Sequence, residues 1–243
     1  MYTEKIERSC RLAPPRVPDL RFAIVGNPRT GSSHLASLLD SHRDIACWDD
    51  EPFLAGGAFD KSGCPSAETF LHNVVFAVNA RAVGFKLLWD AMVRIPNRWQ
   101  LFCELRIALI HVYRLNPLDA YMSLELARLN GAFTSSYGGY NTQRLTIDYD
   151  RCRAWMVAAE RHDNEIQEKA THHSIPRVEV EYHELCRDQT RILDFLDVPR
   201  CPLVSRLRKQ RTKPQSAIIT NYWDLKRRFA GSRWERCFNC GSR

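Results

Sequence analysis

The run from Arg21 to His42, RFAIVGNPRTGSSHLASLLDSH, constrains the fold most, because an apolar stretch enters a glycine-bounded loop that leads into a helix. Phe22, Ile24 and Val25 read as a short buried strand, and Gly26-Asn27-Pro28-Arg29-Thr30-Gly31 as a tight loop with little bulk near its backbone. Ser32 and Ser33 open a helix whose Leu35, Leu38 and Leu39 share one face. The first-turn N–H groups of such a helix, with the positive end of its dipole, form a cradle for phosphate or sulfate. The loop falls one residue short of the nucleotide-binding pattern GxxxxGK[ST]: Ser32 stands where that pattern needs Lys, and the cation is Arg29, inside the loop. For the loop taken alone, a ligand-free strand-to-helix turn stays open.

Further along, Ile45 to Trp48 is a second short strand that ends in the acidic run Asp49-Asp50-Glu51. A Gly-rich loop follows to about Ser66, then a helix from Ser66 to Ala80, a third strand from Ala82 to Leu88 that carries Lys86, and a helix from Asn97 to Leu105. Ile107 to Tyr113 is continuously apolar apart from His111, as expected of a central parallel strand buried on both faces. It delivers Arg114-Leu115-Asn116-Pro117, where Asn116 caps and Pro117 opens a helix running to about Leu129 and stopping at Gly131. A long amphipathic helix spans Tyr149 to Ala170, Val178, Val180 and Tyr182 alternate as a strand, Asp188 to Leu196 is helical, and Pro214 to Phe229 reads as one closing helix. Strands alternating with helices predict an α/β protein of three layers, P-loop-like, with a central and mostly parallel sheet. Residues 1–20, rich in proline, read as an extended lead-in, and 21–243 as a single domain.

Arg29-Thr30-Gly31-Ser32-Ser33 resembles the 5'-phosphosulfate loop of the sulfotransferases that use 3'-phosphoadenosine-5'-phosphosulfate (PAPS). Arg114 at a strand end and Ser123 on the following helix resemble the pair with which that family holds the 3'-phosphate, although their spacing is one residue longer than in the common form. The segment LIHVYRLNPLDAYMSLELARLNG looks like the centre of the bacterial subgroup of nodulation-factor and trehalose sulfotransferases. The resemblance implies an enzyme that moves a sulfuryl group from PAPS to a hydroxyl, releases PAP and needs no metal. Cofactor contacts would come from Arg29, Thr30, Gly31, Ser32, Ser33, His34, Arg114 and Ser123. Lys209 and Arg211, in the basic run 206–213, match in position the segment that closes over the 3'-phosphate and adenine.

Glu51 resembles the carboxylate that serves this subgroup as base, and an attacking alcohol needs one. Asp49 and Asp50 compete with it, and His111 is the next candidate, against a plain hydrogen-bonded core role. Lys86 is placed to neutralise the leaving phosphate, or simply reaches water from a strand end. Trp48, Phe53, Trp89, Phe133, Tyr137 and Tyr140 offer rings to a sugar, although core packing accounts for some of them; the carbohydrate or glycolipid acceptor is mainly what the subgroup resemblance implies.

The formal charge of +7 points to an anionic partner, which nucleic acid, a membrane surface or a small polyanion such as a phosphate-rich cofactor would each satisfy, and composition does not choose among them. Two other readings use the same charge: a kinase binding ATP and magnesium, with Asp90 organising the metal, and a basic nucleic-acid-binding module. The first lacks the motif Lys, and no RNA-binding signature supports the second, so no nucleic-acid partner is expected. Nine cysteines, an odd number, cannot all pair internally, and Cys237 and Cys240 form a lone CxxC, so reduced thiols are expected. With no apolar run of membrane-spanning length and no signal-like N-terminus, the chain reads as cytoplasmic; a homo-oligomer is compatible with all of this.

Overall fold

The computed structural model describes residues 18–48, 50–133, 144–207 and 213–238. Five strands form one sheet: β1 (Leu20–Gly26), β2 (Ile45–Trp48), β3 (Ala82–Leu88), β4 (Ile107–Tyr113) and β5 (Arg177–Glu181). Their order across the sheet is β2-β3-β1-β4-β5, and every pairing is parallel. The longer helices are α1 (Ser32–Asp40), α2 (Arg98–Glu104), α3 (Pro117–Asn130), α4 (Tyr149–His172), α5 (Thr190–Phe195) and α6 (Tyr222–Phe229).

The central strands have no solvent face, which explains their unbroken apolar sequences. On one face Ala23, Val25, Phe85, Leu87 and Leu109 pack against Leu71, Val75, Phe102 of α2, and Ile166 and Ala170 of α4. On the other, Phe22, Ile24, Ile110 and Val112 meet Leu35 and Leu39 of α1 and Ile192 and Leu193 of α5. The expected three layers are present. A third cluster joins α3, the start of α4 and α6 through Met122, Met156, Leu225 and Phe229. β1 sends the chain toward β2, and β4 sends it toward β5, so the order reverses between them; in open α/β sheets ligands bind beyond the carboxyl ends at such a point.

Several elements differ from the sequence reading. The expected helix 66–80 is a short turn, Ala67–Phe70, capped by the Ser66 hydroxyl and passing into a π-helical turn at Leu71–Val75. The loop before it holds a one-turn helix, Ala58–Ser62. Tyr182 does not continue β5, because the Glu181 carboxylate accepts from the N–H groups of His183 and Glu184 and starts a one-turn helix there. The closing helix is broken: Gln215–Ile218 and α6 flank Ile219, which bridges to Leu145 in parallel. The β-branched run Ile218-Ile219-Thr220 favours that extended link. Among the described residues Cys47, Cys64, Cys103, Cys152, Cys186, Cys201 and Cys237 are free thiols, and no helix is long and apolar enough to cross a membrane.

Gly84 in β3 lies under the ring of Phe22, where an added Cβ would come 2.3 Å from Cε2. Gly84→Ala is therefore expected to cost about 1–3 kcal/mol by overpacking, measured as a lowered urea midpoint at unchanged slope.

Candidate active site

The loop after β1 turns because two of its residues take left-handed backbone: Arg29 at φ 68° and Gly31 at φ 100°. Gly31 also lies against Tyr182, where a Cβ would come within 2.6 Å of the ring. The Thr30 hydroxyl, almost fully buried, donates to the Asn27 carbonyl at 2.9 Å and closes the turn. α1 then begins at Ser32 with no side-chain cap and no acidic residue in its own first turn, which leaves the positive end of its dipole able to attract an anion.

Arg29 and Ser123, predicted to serve two different ends of one cofactor, touch: Nε donates to the Ser123 hydroxyl at 3.0 Å. Arg114 reaches the same point from β4, donating to the Arg29 carbonyl at 3.3 Å. Its guanidinium stacks 4.5 Å from the Tyr182 ring centre and lies 3.8 Å from Asp119. The residues of both predicted phosphate signatures thus meet at the sheet's switch point.

Lys86 is buried, and it neither snorkels nor stands alone. Its ammonium donates to the Ser33 hydroxyl at 2.9 Å and pairs with Glu51 at 3.4 Å. The order Glu51, Lys86, Ser33 runs from the end of β2 to the start of α1. Asp50 beside it is exposed, which separates the two acids; Asp49, Lys209, Arg211, Tyr137 and Tyr140 lie outside the described residues.

His34 bonds through Nδ1 to the Ser205 hydroxyl at 3.0 Å, and burial lowers its pKa. It ties α1 to the segment before the basic run. Asp90 is exposed on the turn after β3. His111 is wholly enclosed, its Nε2 3.0 Å from Asp163, the arrangement of a hydrogen-bonded core histidine.

Sequence reading passed over the cluster beneath the loop. Asn27, 3% exposed, donates to the Ala159 carbonyl and to Asp163, and accepts from His162. His162 and Asp163 sit in the charged stretch ERHDNE of α4, where nothing marks them from ordinary surface residues. Tyr182 was legible only as an alternating strand position.

No family model matches the chain. Nodulation protein H of Rhizobium meliloti strain 1021 is 25% identical over 252 residues, spanning 91% of this chain and 96% of that protein. A second R. meliloti nodulation protein H is 24% identical over the same shares. Among solved structures, a sulfotransferase from Alicyclobacillus acidocaldarius superposes with a TM-score of 0.51 over 91% of this chain and 96% of its own, at 14% identity. The fold is that of a sulfotransferase. The likeness to the nodulation-type subgroup extends well beyond two motifs, across nine-tenths of the sequence.

Asp163 accepts from both Asn27 and His111. Asp163→Ala would leave two buried donors without that acceptor, so a loss of about 1–3 kcal/mol is expected, read from the shift in denaturant midpoint.

Proposed function

We propose that this chain is a PAPS-dependent sulfotransferase acting on a carbohydrate or glycolipid hydroxyl. The observation that carries the reading is the contact of Arg29 with Ser123 and Arg114, which brings the 5'-phosphosulfate and 3'-phosphate signatures to one anion-seeking corner. The nodulation protein H likeness and the sulfotransferase fold support it.

In the reaction an acceptor hydroxyl oxygen attacks sulfur, the bond from sulfur to the bridging phosphate oxygen breaks, and the hydroxyl proton leaves. Glu51 takes that proton. It is held by Lys86, which also lies against the loop and is placed to offset charge on the departing phosphate. The loop N–H groups and Arg29 would hold the sulfuryl and 5'-phosphate oxygens. Arg114 and Ser123 would hold the 3'-phosphate. Most of the acceleration is positioning and charge neutralisation, as in phosphoryl transfer.

PAP is expected to stabilise the fold by about 2.7 kcal/mol at about a hundredfold excess over its dissociation constant. AMP, without the 3'-phosphate, should bind far more weakly, and Arg114→Ala should erase the difference. Thermal shift measures both, and equal stabilisation by the two nucleotides in the unaltered protein would overturn the reading. For the base, Glu51→Gln keeps shape and removes the proton acceptor, so kcat should fall roughly a hundredfold or more while PAP affinity holds. Near-normal kcat in that variant would place the base elsewhere.

A further inference from the structure

β1 and β3 are in register with Gly26 opposite Leu88, so the next residues, Asn27 and Trp89, leave the sheet side by side. His162 of α4 engages both. Its ring stacks on Trp89 with centroids 4.4 Å apart and planes 13° from parallel, and its Nδ1 is 3.0 Å from the Asn27 side-chain oxygen. The Asn27 amide has one allowed orientation, because its nitrogen donates to the Ala159 carbonyl and to Asp163, both at 2.9 Å. The amide oxygen therefore faces His162, and Nδ1 must carry the proton. In a neutral imidazole the lone pair then sits on Nε2.

That nitrogen has no hydrogen-bond partner among the described residues, and the ring is half-buried. Burial lowers the His162 pKa. Arg161 adds to the effect, while Asp90, Asp163 and Glu165 oppose it. Arg98, 5.7 Å from the Trp89 ring centre, is the other cation packed against this stack. His162 is thus neutral near pH 7, with a fixed tautomer and one unused basic nitrogen. His111, on the same Asp163, is fully enclosed and has no such access.

We propose that His162 is an acceptor-binding residue, its Nε2 taking a hydrogen bond from a hydroxyl of a saccharide next to the one that reacts. The inference rests on the sulfotransferase reading above. Glu51 approaches the loop from the α1 side through Lys86 and Ser33, and His162 approaches it from the α4 side through Asn27. A sugar carries neighbouring hydroxyls on one ring, so it suits two hydrogen-bond acceptors that flank a single anion loop. One takes the reacting proton and the other fixes the ring's orientation.

The test uses radiolabelled PAPS as donor and a panel of methyl glycosides as acceptors. His162→Phe keeps an aromatic face for Trp89 and removes both nitrogens, whereas His162→Gln retains a donor for Asn27 and an accepting oxygen. His162→Phe is expected to raise KM for the glycoside about tenfold or more, with PAP affinity unchanged, and His162→Gln to recover much of the loss. As pH falls through the lowered pKa, protonated Nε2 can no longer accept, so kcat/KM should fall; that step should vanish in His162→Phe. An unchanged glycoside KM in His162→Phe overturns this role alone. PAP binding with no transfer to any glycoside overturns the saccharide assignment and this role with it, while absence of PAP binding overturns the sulfotransferase reading itself. If His162→Phe does not fold, nitrogen NMR of the histidine-labelled unaltered protein decides: the Nε2 signal should move when methyl glycoside is added with PAP present, and a stationary signal overturns the proposal.

Discussion

β1 is paired on both edges and covered on both faces, and this confinement governs everything at the site. At its end the chain passes so close to β4 that a Cβ on Gly26 would lie 2.3 Å from the Val112 carbonyl oxygen. The loop that follows has no room to sink into the sheet and must rise from it. Once risen, it is held by side chains from three directions: Asn27 to α4, Arg29 to α3, and Ser33 to β3. These contacts engage side chains and carbonyls, leaving the N-terminus of α1 without a side-chain cap. A loop braced in this way before an uncapped helix N-terminus suits an anion site, since less ordering remains to accompany binding.

The elements that could be read from sequence are those whose local chemistry and burial agree. β4 matches its expected bounds because every residue from Ile107 to Val112 faces a covered surface. α3 begins where Asn116 and Pro117 say it should, with the Asn116 side chain accepting from Asp119 N–H. Elements went wrong where a tertiary contact outweighed the local pattern. Glu181 turns the chain one residue before the alternation would end, and Leu145 draws Ile219 out of a helix from far along the sequence.

The site divides the same way. Arg29, Ser33 and Arg114 were visible because their positions relative to a strand end carry meaning. The pairing of Lys86 with Glu51 was not, since a Lys in β3 and a Glu after β2 become neighbours only through the parallel register of those strands. Asn27 and Asp163 were hidden for a related reason: they lie 136 positions apart, and each looks ordinary in its own surroundings.

The two ends of this site are built on parts of the sheet that differ in how much they tolerate change. The contacts proposed for the sulfuryl donor stem from the ends of β1 and β4, which are enclosed on all sides, so altering their course would disturb both cores. Glu51 follows β2, a four-residue strand paired only to β3. An edge strand can shift, lengthen or exchange its trailing loop while leaving the middle of the sheet in place. On the proposed reading the architecture is modular: the source of the sulfuryl group would be fixed by the interior, and the choice of what receives it could be rewritten at the margin.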